Sequence, residues 1–127
     1  FVMSNCEKYL TSQIYNDCRW NIYNISSNKS QVTDGDVEHR AAYPVEFSEK
    51  MITDFSLKNS IIYEPFNGSG TNIISCENTN RISYSMEIYP KYVQLSIDRY
   101  VNYTSNQSIK INGIEVIWED YKNGKWY

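Results

Sequence analysis

Histidine, cysteine and positive charge are all in short supply in this sequence, and each shortage removes a class of chemistry. One histidine, His39, and three widely spaced cysteines, Cys6, Cys18 and Cys76, form neither a zinc-ligand set nor a disulfide framework. No metal site is therefore expected, and the setting expected is a reducing, cytoplasmic or nucleoid-associated one. No apolar run approaches the roughly 20 residues of a membrane-spanning helix, and Phe1-Val2-Met3-Ser4 does not lead into the apolar stretch of a secretion signal. A soluble chain without membrane contact is expected. Twelve Lys and Arg against 15 Asp and Glu leave a net charge of −3, the wrong sign for a chain that grips nucleic acid unaided. Any DNA contact is expected to lie mainly on another domain or chain.

What the 127 residues do hold is apolar surface: 41% hydrophobic and 15% aromatic side chains are enough for one packed domain. Twelve tyrosines stand out, but Asn, Ile, Lys and Ser are enriched with them, which is a composition bias before it is an aromatic surface. Residues 1–38 read as an irregular segment with a short strand around Trp20 and Ile22, then a Ser/Asn/Asp/Gly-rich loop from Ser26 to Asp36 that includes Asp34-Gly35.

Organisation sharpens in residues 39–103. Pro44 suits the first turn of a helix, Glu46 and Glu49 place negative charge near its N-terminus, and Phe47, Met51, Ile52 and Phe55 recur at helical spacing. Ser60-Ile61-Ile62-Tyr63-Glu64 is a compact apolar run of the kind that fills a buried parallel strand. A tight turn at 67–71 leads into a helix with Ile73, Ile74 and Cys76, residues 81–87 read as a second strand, and Pro90 opens a helix striped by Val93, Ile97, Tyr100 and Val101. The order is a βαβ unit with an extra helix in front. In residues 104–127, Ile109, Ile111, Ile114, Val116 and Trp118 flank Asn112-Gly113, a pattern of a hairpin or of a third sheet strand. Lys122, Lys125, Trp126 and Tyr127 read as a solvated tail, and Tyr89, Tyr92, Tyr100 and Tyr103 as packing residues at helical spacing.

The turn between strand and helix carries the chemistry. Gly68 and Gly70 remove the Cβ atoms that would keep a ligand from the backbone, and Glu87, nineteen residues past Gly68, stands where a carboxylate accepts hydrogen bonds from two ribose hydroxyls. A phosphate-binding loop needs a Lys after its last Gly, where this chain has Thr71-Asn72, and a dinucleotide fingerprint wants a small residue where Ile73 stands. The third reading is an adenosyl ligand without phosphates: Glu64 would repel phosphate but can hold an ammonium or sulfonium. A tight turn with no ligand is the plain alternative.

Glu64-Pro65-Phe66-Asn67-Gly68-Ser69-Gly70-Thr71 resembles the Asp-Pro-Phe-x-Gly-Ser-Gly-Thr segment of amino-group DNA methyltransferases, their S-adenosylmethionine motif. His39-Arg40-Ala41-Ala42-Tyr43-Pro44 resembles the His-Pro-Ala-x-Phe-Pro segment before it, Glu87-Ile88-Tyr89-Pro90-Lys91-Tyr92 resembles the Glu-x-x-Pro-x-Tyr stretch after it, and Trp20 is similar to the Trp often found upstream. The likeness covers residues 19–103. It implies a partial class I, Rossmann-like α/β methyltransferase sheet with flanking helices, completed by another chain or segment. It implies S-adenosylmethionine as cofactor, with Glu64 facing the amino group of its methionine part and Phe66 near adenine or methionine. Asn67, Gly68, Ser69, Gly70 and Thr71 would lie along the cofactor, Glu87 would hold the ribose, Ile88 the adenine face, and Tyr43 and Pro44 the methionine end. Glu64 replaces the family's Asp, Arg40 its Pro and Tyr43 its Phe.

The family's catalytic motif, an Asp/Ser/Asn-Pro-Pro-aromatic loop, has no counterpart: the prolines are Pro44, Pro65 and Pro90, and no two adjoin. No catalytic residue is thus assigned in this chain. The resemblance implies the cofactor-binding part of a DNA methyltransferase acting on an exocyclic amino group of adenine or cytosine, with a complementary methyltransferase chain supplying the catalytic loop, target recognition and most DNA contacts. A non-catalytic structural or regulatory subunit, and a piece of a longer enzyme, are the alternatives.

Overall fold

The computed structural model describes residues 43–124, together with the backbone of 32–34 and 37–39. The short strand expected around Trp20 lies outside the described residues. Strands β1 (Val32–Asp34) and β2 (Val37–His39) pair antiparallel, Asp34 opposite Val37, so part of the stretch read as loop is a hairpin.

From there the expected order appears. Helix α1 (Val45–Phe55), strand β3 (Ile61–Glu64), helix α2 (Thr71–Thr79), strand β4 (Ile82–Ser85) and helix α3 (Pro90–Thr104) succeed one another along the chain. Strands β3 and β4 pair in parallel, Ile61 beside Ile82 and Glu64 beside Ser85. Pro44 is the N-cap of α1 rather than a first-turn residue, while Pro90 occupies the first turn of α3, where its missing N–H costs nothing. Asn80 ends α2 in the left-handed region, φ 57°, with its N–H returned to the last carbonyls of the helix. Among the described residues no helix is long and apolar enough to cross a membrane.

Helix α2 lies between α1 and α3 on one face of the sheet. Ile52, Ile74, Cys76, Leu95, Val101 and Trp118 form the buried apolar core, and burial of side chains this size contributes about 1.5–3 kcal/mol for the larger ones. Cys76 is a small core residue as expected, its thiol pushed up from the usual range chiefly by burial. Arg81 ties the ends of α1 and α2, donating from Nε to Ser56 Oγ at 3.2 Å and from Nη2 to the Ser56 carbonyl at 2.7 Å.

The helix faces differ from those the spacing predicts. Helix α1 buries Ser48, Ile52 and Asp54 while Phe47 is exposed, and α3 buries Leu95, Ser96, Asp98 and Val101 while Val93 is exposed. Polar contacts turn both helices: Ser48 reaches Asn72 on the first turn of α2, and Asp98 anchors Trp118 and Lys122 near the C-terminus. The strands differ too. Ile61, Tyr63, Ile82 and Tyr84 are exposed rather than buried, because the helices cover only the opposite face. Tyr89 and Tyr103 are also exposed, and the tyrosines of α3 attach to α2 by their hydroxyls, Tyr100 to Glu77 at 3.1 Å and Tyr103 to Asn78 at 2.7 Å.

The last segment is the hairpin alternative. Strands β5 (Ser108–Ile111) and β6 (Ile114–Ile117) pair antiparallel as a separate sheet across Asn112 and Gly113, at φ 51° and 83°. Trp118 opens a short helix, α4 (Trp118–Lys122), rather than extending β6. The Trp118 indole N–H donates to Asp98 Oδ1 at 2.6 Å, and Lys122 Nζ reaches the same oxygen at 2.9 Å. Lys122 is therefore an anchor and not part of a solvated tail; Lys125, Trp126 and Tyr127 lie outside the described residues. Removing a buried carboxylate that two donors share costs more than an ordinary surface contact. Asp98→Ala is expected to lower unfolding free energy by about 2–3 kcal/mol, read from the urea midpoint at unchanged slope, whereas Glu119→Ala should change it little.

Candidate functional site

The carboxyl ends of β3 and β4 lie side by side, and each carries a glutamate at the start of the loop beyond it. Glu64 Oε1 accepts the Phe66 N–H at 2.9 Å, and its Oε2 accepts the carboxamide N–H of Asn72 on the first turn of α2. Ser48 of α1 donates in turn to Asn72 Oδ1. Glu87 Oε2 accepts the Gly68 N–H at 2.8 Å and Oε1 the Tyr89 N–H at 2.9 Å. One carboxylate therefore holds the glycine turn against the start of α3, and the other holds it against α2. An ionised carboxylate has about four acceptor positions, so the bonds described leave capacity on Glu64 for an incoming ligand.

Between them runs the turn. The Asn67 N–H donates to the Met86 carbonyl at 2.9 Å and the Gly70 N–H to the Asn67 carbonyl at 3.0 Å. Gly68 and Gly70 take φ 55° and 76°, the left-handed region that glycine enters without strain. Asn67 Oδ1 is buried with no hydrogen-bond partner among the described residues. Gly70 has a second role: a Cβ there would stand 2.7 Å from Ser96 Cβ and 3.2 Å from its Cα. Its missing side chain admits α3, so close helix packing, and not only ligand approach, requires this glycine.

Ser69 and Thr71 are buried, and their hydroxyls face inward. Arg99 on α3 donates from Nη1 to the Ser69 carbonyl at 2.6 Å and to its hydroxyl at 3.1 Å, with Thr71 Oγ1 at 3.5 Å. Burial draws the Arg99 guanidinium below its usual range, yet it remains a cation clamped beneath the turn. Arg99, Ser96, Ser48 and Asn72 were not visible as site residues in the sequence. They lie on helix faces outside the glycine motif, and no local spacing marks them.

Two apolar side chains stand free above the turn. Phe66 and Ile88, the residues two past Glu64 and one past Glu87, are 86% and 85% exposed. An open groove of about 410 Å³ starts at Glu87 and Ile88 and runs along Pro90, Val93 and Ile97 to Trp118. Tyr43 packs edge-on against Phe47, ring centroids 6.0 Å apart, at the Glu64 side of the site, with Pro44 beside it as the cap of α1. Partial burial, and then the Glu64 charge, push the Tyr43 phenol up from 10.0 to about 12, opposed by a hydrogen bond with Ser48. Of the residues singled out in the sequence, the structure brings Tyr43, Pro44 and Glu64 to one end and Glu87 and Ile88 to the other, with the turn that starts at Asn67 between. No group of three His, Cys, Asp or Glu able to hold a metal occurs among the described residues.

The sequence is similar to those of known proteins. Residues 5–98 match the DNA methylase family. The type II methyltransferase M.MthZI of Methanothermobacter thermautotrophicus is 36% identical over 93 residues, 68% of this chain and 25% of the relative. The orphan methyltransferase M.BamHII of Bacillus amyloliquefaciens is 30% identical over 87 residues, 67% of this chain and 33% of the relative. Among solved structures, the M1.HpyAVI–SAM complex is 30% identical over 50% of this chain and 32% of that one, with a TM-score of 0.48. The chain spans a third or less of the length of each.

The Gly70 contact and the Tyr43 phenol each lead to a measurable outcome. Gly70→Ala meets both the Ser96 contact and the positive φ, and is expected to cost at least about 2 kcal/mol. Combining it with Ser96→Gly should recover the steric part, so urea unfolding of the double-mutant cycle gives a favourable coupling, and additive losses would refute the contact. The raised Tyr43 value means the folded state holds the phenolic proton more tightly than the unfolded one. Its stability contribution is whole below about pH 10 and is lost as pH rises toward 12, so wild type should lose stability across that window more steeply than Tyr43→Phe.

Proposed function

Because the chain belongs to the DNA methylase family, we propose that it is the S-adenosylmethionine-binding part of a DNA methyltransferase acting on an exocyclic amino group of adenine or cytosine. The catalytic Pro-Pro-aromatic loop, target recognition and most DNA contacts come from a complementary chain. The observation that carries this reading is the pair of oriented carboxylates, Glu64 and Glu87, on either side of a glycine turn that no lysine accompanies.

The donor set suits a cationic adenosyl ligand. Glu64 is held by neutral donors, a backbone N–H and a carboxamide, so its negative charge remains available to an ammonium group. Glu87 is fixed by two backbone N–H groups just beyond β4, where a carboxylate is placed to accept from vicinal ribose hydroxyls. Ile88 and Phe66 offer apolar faces for a purine, and the groove beside Ile88 gives its ring a place along α3. Asn67 Oδ1, without a partner among the described residues, gains a donor from the ligand or an accompanying water. Tyr43, kept neutral at ordinary pH, borders the methionine end without adding a second negative charge beside Glu64. Ser69, Gly70 and Thr71 act from below by keeping the turn in place.

S-adenosylmethionine supplies an electrophilic methyl group on a sulfonium centre. The part the described residues would play is binding and orientation: Glu64 would hold the amino end of the cofactor and Glu87 its ribose. Withdrawing the amino proton and stacking the target base fall to the loop the chain lacks. The sequence's −3 charge agrees with that division, since the groups described at the site would repel a phosphate backbone.

Titration calorimetry with S-adenosylmethionine tests the reading. Wild type should bind alone or with its complementary chain, and Glu87→Ala should weaken binding at least about tenfold, the equivalent of one lost charge-assisted hydrogen bond. No binding in either state would leave the chain a scaffold with a methyltransferase-like fold. Methyl transfer to DNA should require the complementary chain.

A further inference from the structure

The β3/β4 sheet has one face that no described helix of the chain covers, and that face carries only large apolar side chains. In register, Ile61 stands beside Ile82 and Tyr63 beside Tyr84. They are 58, 48, 63 and 59% exposed in that order. Met86 continues the patch beyond β4, where the Tyr63 hydroxyl donates to its sulfur at 2.9 Å. The opposite face, Ile62, Glu64, Ser83 and Ser85, is half-buried beneath the helices. The alternation is the reverse of a sheet meant for water, which turns polar residues outward. Parallel sheets bury both faces, and a contiguous exposed apolar patch marks an interaction surface.

We propose that this face docks the complementary methyltransferase chain, which covers it with apolar helices. The proposal rests on the function argued above, and two observations select the occupant. First, the chain spans a third or less of its relatives, so two-thirds or more of such a protein has no counterpart here. Second, the patch runs to Met86, the residue before Glu87, and Tyr63 precedes Glu64. A polypeptide seated on the face therefore ends at the carboxyl edge of both strands, where a catalytic loop must arrive. A second copy of this chain would cover the apolar surface but bring no such loop. Tyrosines at the centre of a patch are favourable anchors, since they bury large rigid area at small entropic cost.

The test co-expresses the tagged chain with the polypeptide of the same genome that carries an Asp-Pro-Pro-aromatic loop, reading complex formation by affinity co-purification and sedimentation. Wild type should form a one-to-one complex. Tyr63→Lys/Tyr84→Lys and, separately, Ile61→Lys/Ile82→Lys should weaken it at least about thirtyfold, with S-adenosylmethionine affinity and melting temperature close to wild type. Tyr103→Lys, an exposed tyrosine on α3 away from the patch, should leave the complex intact. Undiminished co-purification of both patch variants overturns the proposal, as does a homodimer of this chain that the same substitutions dissociate. It is also overturned if removing residues 1–31 is what exposes Tyr63 and Tyr84 to hydrogen exchange and iodination. If the complex depends on the patch but neither the chain nor the complex binds S-adenosylmethionine, the cofactor reading falls and the docking surface stands.

Discussion

The distance between the glycine turn and α3 governs the site. A methyl group at Gly70 would stand 2.7 Å from Ser96 Cβ, so only glycine lets the turn and the helix touch. That contact brings Arg99, one turn further along α3, beneath Ser69 and Thr71. The same helix begins beside Glu87, whose carboxylate takes the N–H of Tyr89 at the helix cap and that of Gly68 in the turn. Helix α3 thus grips the turn at two points a few residues apart, and loosening either removes the reference that positions the other.

Charge then decides what the held turn can receive. Two carboxylates at the ends of adjacent strands, in a chain of net charge −3, make a poor seat for phosphate and a good one for a cation. The nearby guanidinium does not alter this, because Arg99 is held under the turn, where its Nη1 donates to a carbonyl and hydroxyls. Lys122 is likewise committed to Asp98. The positive charges described around the site hold the protein together, while Glu64 and Glu87 place negative charge at the two ends of the turn.

Much of this was legible in the sequence. The order of helices and parallel strands, the hairpin at Asn112-Gly113, the turn at 67–70 and the partnership of Gly68 with Glu87 are all encoded locally, by apolar periodicity, proline and glycine placement, and a short motif. The orientation of the helices was not. Periodicity predicts that Phe47 and Val93 face inward, yet Ser48 and Asp98 face inward instead, each because a distant polar group needs it: Asn72 for the first, Trp118 and Lys122 for the second. The inward role of Ser69 and Thr71 was hidden for the same reason, since Arg99 lies thirty residues from Ser69 and carries no motif of its own. The compact run at 60–64 read as a strand buried on both faces; the described chain supplies cover for only one.

That exposed face and the missing loop are linked by geometry. The contacts described at the turn come from residues between Ser48 and Arg99, so among the described residues the turn is shaped within one stretch of the chain. The uncovered sheet face is the other side of those same strands, and its apolar rows run in the direction of Glu64 and Glu87. Any body that buries them is thereby aligned with the carboxyl edge of the sheet. Hydrophobic cover is non-directional, but the strands beneath it are not. In the proposed enzyme, cofactor affinity and catalysis are therefore separable: the first resides in the turn, and the second depends on what lies across Tyr63 and Tyr84.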